Sequence, residues 1–103
     1  MRQPSSRGVR VRTLDRPGKL VPSSATRLRS RMVRLAPGQI MEWHSTKARE
    51  ELLIVLVGRV TLELKDGAPK QLRGGRCAFV PSRTMHRVVN RTRAAAVYIY
   101  CTG

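Results

Sequence analysis

Glu51 is the residue whose setting most demands chemistry. It opens the run Glu51-Leu52-Leu53-Ile54-Val55-Leu56-Val57, whose other members are all apolar. Read as a strand, one parity carries Glu51, Leu53, Val55 and Val57, and the other carries Leu52, Ile54 and Leu56. Glu51 therefore shares a face with core residues. A buried carboxylate without a partner costs several kcal/mol, or the pKa shift that neutralises it. It calls for a cation, a metal or strong hydrogen-bond donors. The chain has two histidines, His44 and His86, one at the end of a β-favouring run and the other at the start of one. Strand ends are where a barrel presents side chains into its mouth, so both imidazoles are placed to face Glu51.

The elements that must position these groups are strands. From about Leu28, short β-favouring runs alternate with turn residues, and helical periodicity never extends beyond about a turn. The runs cover 28–35, 40–43, 51–57, 59–64, 76–80, 86–90 and 95–101, with breaks at Pro37-Gly38, Gly58, Asp66-Gly67, Gly74-Gly75 and Pro81-Ser82. Asp66-Gly67 between two runs is a hairpin signal. Many short strands with no helices between them predict an all-β, antiparallel sandwich or barrel over residues 28–103. Gly38 and Gly75 are expected at positive φ, and Gly58 leaves room only for a tight turn between two strands. Strict alternation along 40–44 puts Glu42 on the face of His44, with Met41 and Trp43 on the other, against a second sheet or subunit. Both faces of 51–57 are apolar, whereas a small-barrel strand shows one face to water unless something covers it. A homodimer is the favoured cover.

Residues 1–27 have a different texture. Ser5-Ser6, Pro17-Gly18 and Pro22-Ser23-Ser24 fall among scattered basic residues with no sustained period, as in an extended or partly disordered arm. The start Met1-Arg2-Gln3-Pro4 lacks the apolar stretch of a secretory signal, and no apolar run approaches the ~18 residues of a membrane span. A cytoplasmic protein without membrane association is expected. Cys77 and Cys101 lack zinc-finger spacing and read as two small buried thiols. The formal charge is +15 over 103 residues, which admits an anionic partner such as nucleic acid. Five of the six acids lie in residues 35–68, the segment holding Glu51, while residues 69–103 carry seven basic side chains and no acid. Arginine outnumbers lysine 17 to 4, a bias that a GC-rich coding sequence produces without selection for binding. No aromatic-rich basic strand or recognition helix accompanies the charge, so a nucleic-acid partner is not favoured.

Two spaced motifs sharpen the reading. Gly38, five residues, His44, one residue, Thr46, four residues, Glu51, six residues, Gly58 resembles the first motif of the cupin superfamily. Gly75, five residues, Pro81, one residue, Arg83, two residues, His86, three residues, Asn90 resembles the second. The chain departs from the pattern at Thr46, where the motif has histidine, and at Arg83, where it usually has glycine. The resemblance implies a jelly-roll-like double-stranded β-helix of the small single-domain kind, holding one divalent transition metal (zinc, iron, nickel or manganese). By the same resemblance His44, Glu51 and His86 are its ligands. A neutral hydroxyl is a poor ligand for such ions, so Thr46 leaves three donors, which suits an open catalytic site. Glu42 is a candidate fourth donor. Arg83 adds positive charge near the mouth, repelling a cation or attracting an anionic substrate. Tyr98 and Tyr100 are candidate proton donors if they line the pocket.

Three functions follow. The first is a metal-dependent enzyme, dioxygenase- or isomerase-like, acting on a small oxygenated metabolite. The second is a non-catalytic barrel for a sugar or other small ligand that has lost its metal, with both histidines hydrogen-bonded to Glu51 in a polar pocket. The third is a nucleic-acid-associated protein using the arginine-rich arm.

Overall fold

The computed structural model describes residues 8–103. The start Met1–Pro4, the Ser5-Ser6 pair and the rest of the first seven residues, which open the predicted arm, lie outside the described residues. Nine strands follow in order: β1 (Gly18–Lys19), β2 (Arg29–Leu35), β3 (Ile40–Ser45), β4 (Glu51–Val57), β5 (Arg59–Leu64), β6 (Gly67–Arg73), β7 (Cys77–Val80), β8 (Met85–Val89) and β9 (Ala96–Thr102). They form a five-stranded sheet β1-β2-β9-β4-β7 and a four-stranded sheet β3-β8-β5-β6, in which every pair is antiparallel. Among the described residues there is no α-helix, and no helix is long and apolar enough to cross a membrane.

The core lies between the sheets. Val33 and Leu35 of β2, Leu53 and Val55 of β4, Val60 and Leu62 of β5, Val80, Val88, Ala96 and Tyr98 pack into one cluster. Branched aliphatics fill it because the chain has few aromatics. β4 alternates as its sequence requires from Glu51 to Val55, with Glu51, Leu53 and Val55 inward and buried, but a register shift against β9 between Val55 and Val57 leaves Val57 exposed, off the core face expected for it. Its other parity faces out: Leu52 is 40 % and Leu56 38 % exposed, and Phe79 beside Leu52 on β7 is 61 % exposed.

Two strands carry little sequence signal. β6 reads Gly-Ala-Pro-Lys-Gln-Leu-Arg and buries only Leu72, since it is an edge strand. Pro69 is tolerated on such an edge, where a missing N–H breaks no ladder. The Asp66-Gly67 signal marks a real hairpin, but it joins β5 to β6, with Leu64 opposite Gly67. β1 lies inside the basic arm and pairs with β2, Gly18 opposite Met32. Cys77 is exposed on β7, not buried, because it lies beside the outward-facing Ile54; Cys101 is half-buried near the Ser30 hydroxyl.

Gly58 needs its glycine. Its φ is 76°, and a Cβ there would lie 2.7 Å from the Ala95 carbonyl oxygen. Asn90, the last residue of the second motif, is fully buried and tethers the chain around it. Its amide donates to the carbonyls of Leu35 and Ala94 (2.9 and 2.8 Å), and its Oδ1 accepts from Thr92.

Candidate metal centre

A bulge in β3 decides which side chains reach the interior. Met41 pairs with Val88 and His44 with His86, so Glu42 and Trp43 together oppose the single residue Arg87. The extra residue shifts parity, and Met41 and His44, three apart, both face inward. Strict alternation misplaces Met41, though it puts Glu42 and Trp43 on their right sides. Met41 packs on the core on the same side as His44, and Trp43 lies outside with Lys65 Nζ and Arg87 Cζ 4.4 and 4.8 Å from its ring centroid.

The bulge also makes His44 and His86 direct cross-strand neighbours, with ring centroids 4.3 Å apart. Glu51 reaches them from the opposite sheet. One ligand atom from each of His44, Glu51 and His86 lies within 4.8 Å of the others, so one divalent ion can be shared by all three. His86 is fully buried and Glu51 is 5 % exposed, while His44 lies at the open side.

Both rings are oriented by backbone carbonyls. His44 Nδ1 lies 2.8 Å from the Glu42 carbonyl, and His86 Nδ1 lies 2.9 Å from the Thr84 carbonyl. A carbonyl only accepts, so Nδ1 carries the proton in each ring, which leaves Nε2 as the free position. Metal-binding histidines are commonly held this way. His86 Nε2 is buried without a hydrogen-bond partner, although Glu51 Oε2 is 3.3 Å away, because the approach lacks hydrogen-bond geometry. In a neutral ring that contact sets a lone pair against a carboxylate. A proton on Nε2 or a metal ion between the two groups relieves it. The donor set therefore fits a divalent transition metal.

Without metal, the proton is the alternative. Burial lowers the His86 pKa, but the Glu51 carboxylate beside Nε2 and the Thr84 carbonyl at Nδ1 outweigh it and leave the value above the ordinary 6.5. The ionisable groups nearby are Glu51, His44 and Tyr98. A raised histidine contributes stability that is complete below its unfolded pKa and is lost as pH rises through the folded one. The metal-free protein should therefore lose stability between pH 6.5 and the higher folded value. Urea midpoints across that range should fall with pH, and the fall should vanish in His86→Gln.

Thr46 is buried and structurally engaged. Its hydroxyl donates to the Pro81 carbonyl (2.6 Å) and accepts from the Thr84 N–H (3.0 Å), while its own N–H donates to the Thr84 carbonyl (3.3 Å). Where the family has a ligand, this chain has a clamp on the peptide that orients His86.

A cavity of about 610 Å³ opens over His44 and Glu51 and is lined in part by Met41, Glu42, Thr46, Tyr98 and Tyr100. Glu42 is exposed on this wall and outside the trio, and supplies its carbonyl to His44. Burial first, then the charges of Glu51 and Tyr100, push the Tyr98 phenol well above its usual value, so it keeps its proton. Arg83 lies elsewhere. It lines a separate cleft of about 710 Å³ with Leu62, Leu72 and Phe79, which holds none of the trio. The larger space is thus apart from the chemistry. The positive φ that the motif's glycine serves persists at Arg83 (55°). Arg83→Gly should raise stability by roughly 0.5–1 kcal/mol, relief of left-handed strain exceeding the added chain entropy; an unchanged or lower denaturation midpoint would contradict this.

Sequence reasoning missed three basic residues on the cavity wall, Arg29, Lys47 and Arg49, and the orienting carbonyls of Glu42 and Thr84. The arginines were submerged in a basic composition, and a backbone carbonyl leaves no residue-type signal.

Residues 31–102 match the family model for the cupin domain. The chain belongs to the cupin family. None of the curated proteins matches it. Among solved structures, this cupin is similar to a cupin 2 conserved barrel domain protein from Salinispora arenicola, at 24% identity and a TM-score of 0.76, covering 91% of this chain and 87% of that one. It is also similar to a Thermus thermophilus protein at 22% identity and TM-score 0.74, covering 98% and 94%. A predicted oxalate decarboxylase from Thermotoga maritima is more distant, at 18% identity and TM-score 0.67, covering 72% and 64%. At these identities the likeness is one of fold, the double-stranded barrel that the motifs imply.

Proposed function

We propose that this cupin holds one divalent transition metal through His44 Nε2, Glu51 and His86 Nε2 and uses it on a small oxygenated metabolite. The carrying observation is His86 Nε2, buried without a hydrogen-bond partner 3.3 Å from a carboxylate oxygen. The ion would supply Lewis acidity toward a carbonyl or carboxylate oxygen. The chain's own residues do the rest. The Glu42 and Thr84 carbonyls fix the imidazoles, Thr46 fixes Thr84, and the barrel wall keeps His86 from water. Tyr98, held protonated by burial and the Glu51 charge, can donate a hydrogen bond from its phenol and cannot serve as a base near neutral pH. A dioxygenase- or isomerase-like reaction is the proposed class.

A second reading has a specific observation behind it. The raised His86 pKa supports a protonated imidazole paired with Glu51 in a metal-free, small-ligand-binding barrel. Elemental analysis of protein purified without an affinity tag separates the two. Metal near one equivalent, lost in His44→Ala, supports the metallo-cupin. Protein that takes up no zinc, iron, nickel or manganese on reconstitution leaves the ligand-binding barrel.

We also propose that the outward face of β4 and β7 meets a second copy of the chain. Leu52, Leu56 and Phe79 form the apolar patch that such a homodimer would cover.

A further inference from the structure

We infer that the cavity over His44 and Glu51 selects a small anion, a molecule bearing at least one carboxylate, through Arg29, Lys47 and Arg49. This rests on the reading of that cavity as the metal site and adds the charge class of what enters it.

Three observations carry it. Arg29, at the start of β2, and Lys47 and Arg49, in the loop between β3 and β4, line one cavity from two separate segments. The loop is held in place: Arg49 Nη1 donates to the Arg27 carbonyl (3.3 Å), and Glu50 exchanges two backbone hydrogen bonds with Gly103 (3.2 Å each). Lys47 sits in the left-handed region (φ 56°), and its carbonyl accepts the Arg83 N–H at 2.7 Å.

The second observation is that these cations lack partners. Among the described residues the ion pairs are His86–Glu51, Arg87–Glu63 and Arg91–Glu63, so Arg29, Lys47 and Arg49 are left without a carboxylate. The third is the charge balance. The acids on the wall are Glu42 and Glu51. Once Glu51 serves a divalent ion, one carboxylate faces three cations and the metal. Positive charge gathered in a concave, partly desolvated site is relieved by an anion, and guanidinium groups suit a carboxylate through paired N–H donors. The cavity volume of about 610 Å³ fits a small molecule, not a polymer.

The chain is basic everywhere, so the test must separate a local site from the overall field. Malonate and its neutral diamide, malonamide, are titrated by calorimetry into zinc-loaded protein, with zinc content measured in every sample. The variants are Arg29→Gln, Arg49→Gln and, as a control of equal charge loss in the other cleft, Arg83→Gln. Malonate should bind and malonamide should not. Arg29→Gln and Arg49→Gln should each weaken malonate roughly tenfold, as expected for a lost charge-assisted hydrogen bond. Arg83→Gln should stay within about twofold, the residue of long-range screening. Equal weakening in all three variants, or no malonate binding by protein holding a full equivalent of zinc, overturns the inference and leaves the metal reading standing. Protein that holds no zinc overturns the metal reading, and this inference with it.

Discussion

Glu51→Gln should abolish metal binding yet leave the metal-free protein at least as stable as the parent above neutral pH. The two halves have one cause. Glu51 Oε2 lies 3.3 Å from a buried imidazole nitrogen that makes no hydrogen bond, and the opposite ring nitrogen already donates to the Thr84 carbonyl. When His86 is neutral, the carboxylate faces a lone pair. A glutamine amide can donate to that lone pair, so the substitution replaces repulsion with a hydrogen bond at nearly constant volume. The metal loses its only charged ligand among three, and affinity should fall by more than about 100-fold, beyond the range seen when an outer-shell partner is removed. Metal content and urea midpoints at pH 8 provide both readings. A variant that keeps its metal would show that Glu51 is not a ligand. One that loses several kcal/mol without metal would show that the carboxylate is structural.

The second large effect is expected at Thr46. Thr46→Val keeps the shape and removes the hydroxyl, leaving the buried Pro81 carbonyl and Thr84 N–H without their partner. Two such losses should lower stability by roughly 2–4 kcal/mol. The Thr84 peptide also orients His86, so metal affinity should drop about 10–100-fold even where the variant is folded. Thr46→Ser retains the hydroxyl and should recover most of both losses. If Thr46→Val loses stability but binds metal as tightly as the parent, the clamp is structural and has no part in the site. Introducing histidine at 46 would not simply complete a four-ligand set, because it removes the clamp while adding the ligand.

The sequence was most informative where burial and chemistry conflict. A carboxylate at the head of an apolar strand pointed to the interior, and Glu51 is there. The strands with branched apolar residues, β2, β4, β5 and β9, were legible for the same reason: their side chains pack in the core. β6 was not, since an edge strand with one buried leucine and a proline needs no hydrophobic pattern. The failure beside His44, at Met41, has a local origin. A single extra residue in β3 reverses the faces of its neighbours, and alternation cannot register a bulge that carries no glycine. That one irregularity brought Met41 to the His44 side, while Trp43 stays on the face away from His44, as alternation expects. Thr46 was read as a missing ligand because its spacing matches a motif; that it clamps a distant peptide depends on contacts across 38 residues. Arg83 was read as a mouth residue for the same reason, whereas the structure places it in a neighbouring cleft and gives the mouth other basic residues.

The central claim is that both imidazoles offer Nε2 to one ion while Nδ1 stays bonded to the backbone. Long-range nitrogen–proton NMR of ¹⁵N-labelled protein, titrated with zinc, reads this directly. The account predicts that at one equivalent the Nε2 resonances of His44 and His86 move together to metal-bound shifts, with both Nδ1 protons retained. Zinc that shifts only one ring, binds through Nδ1, or leaves both imidazoles unchanged would contradict it.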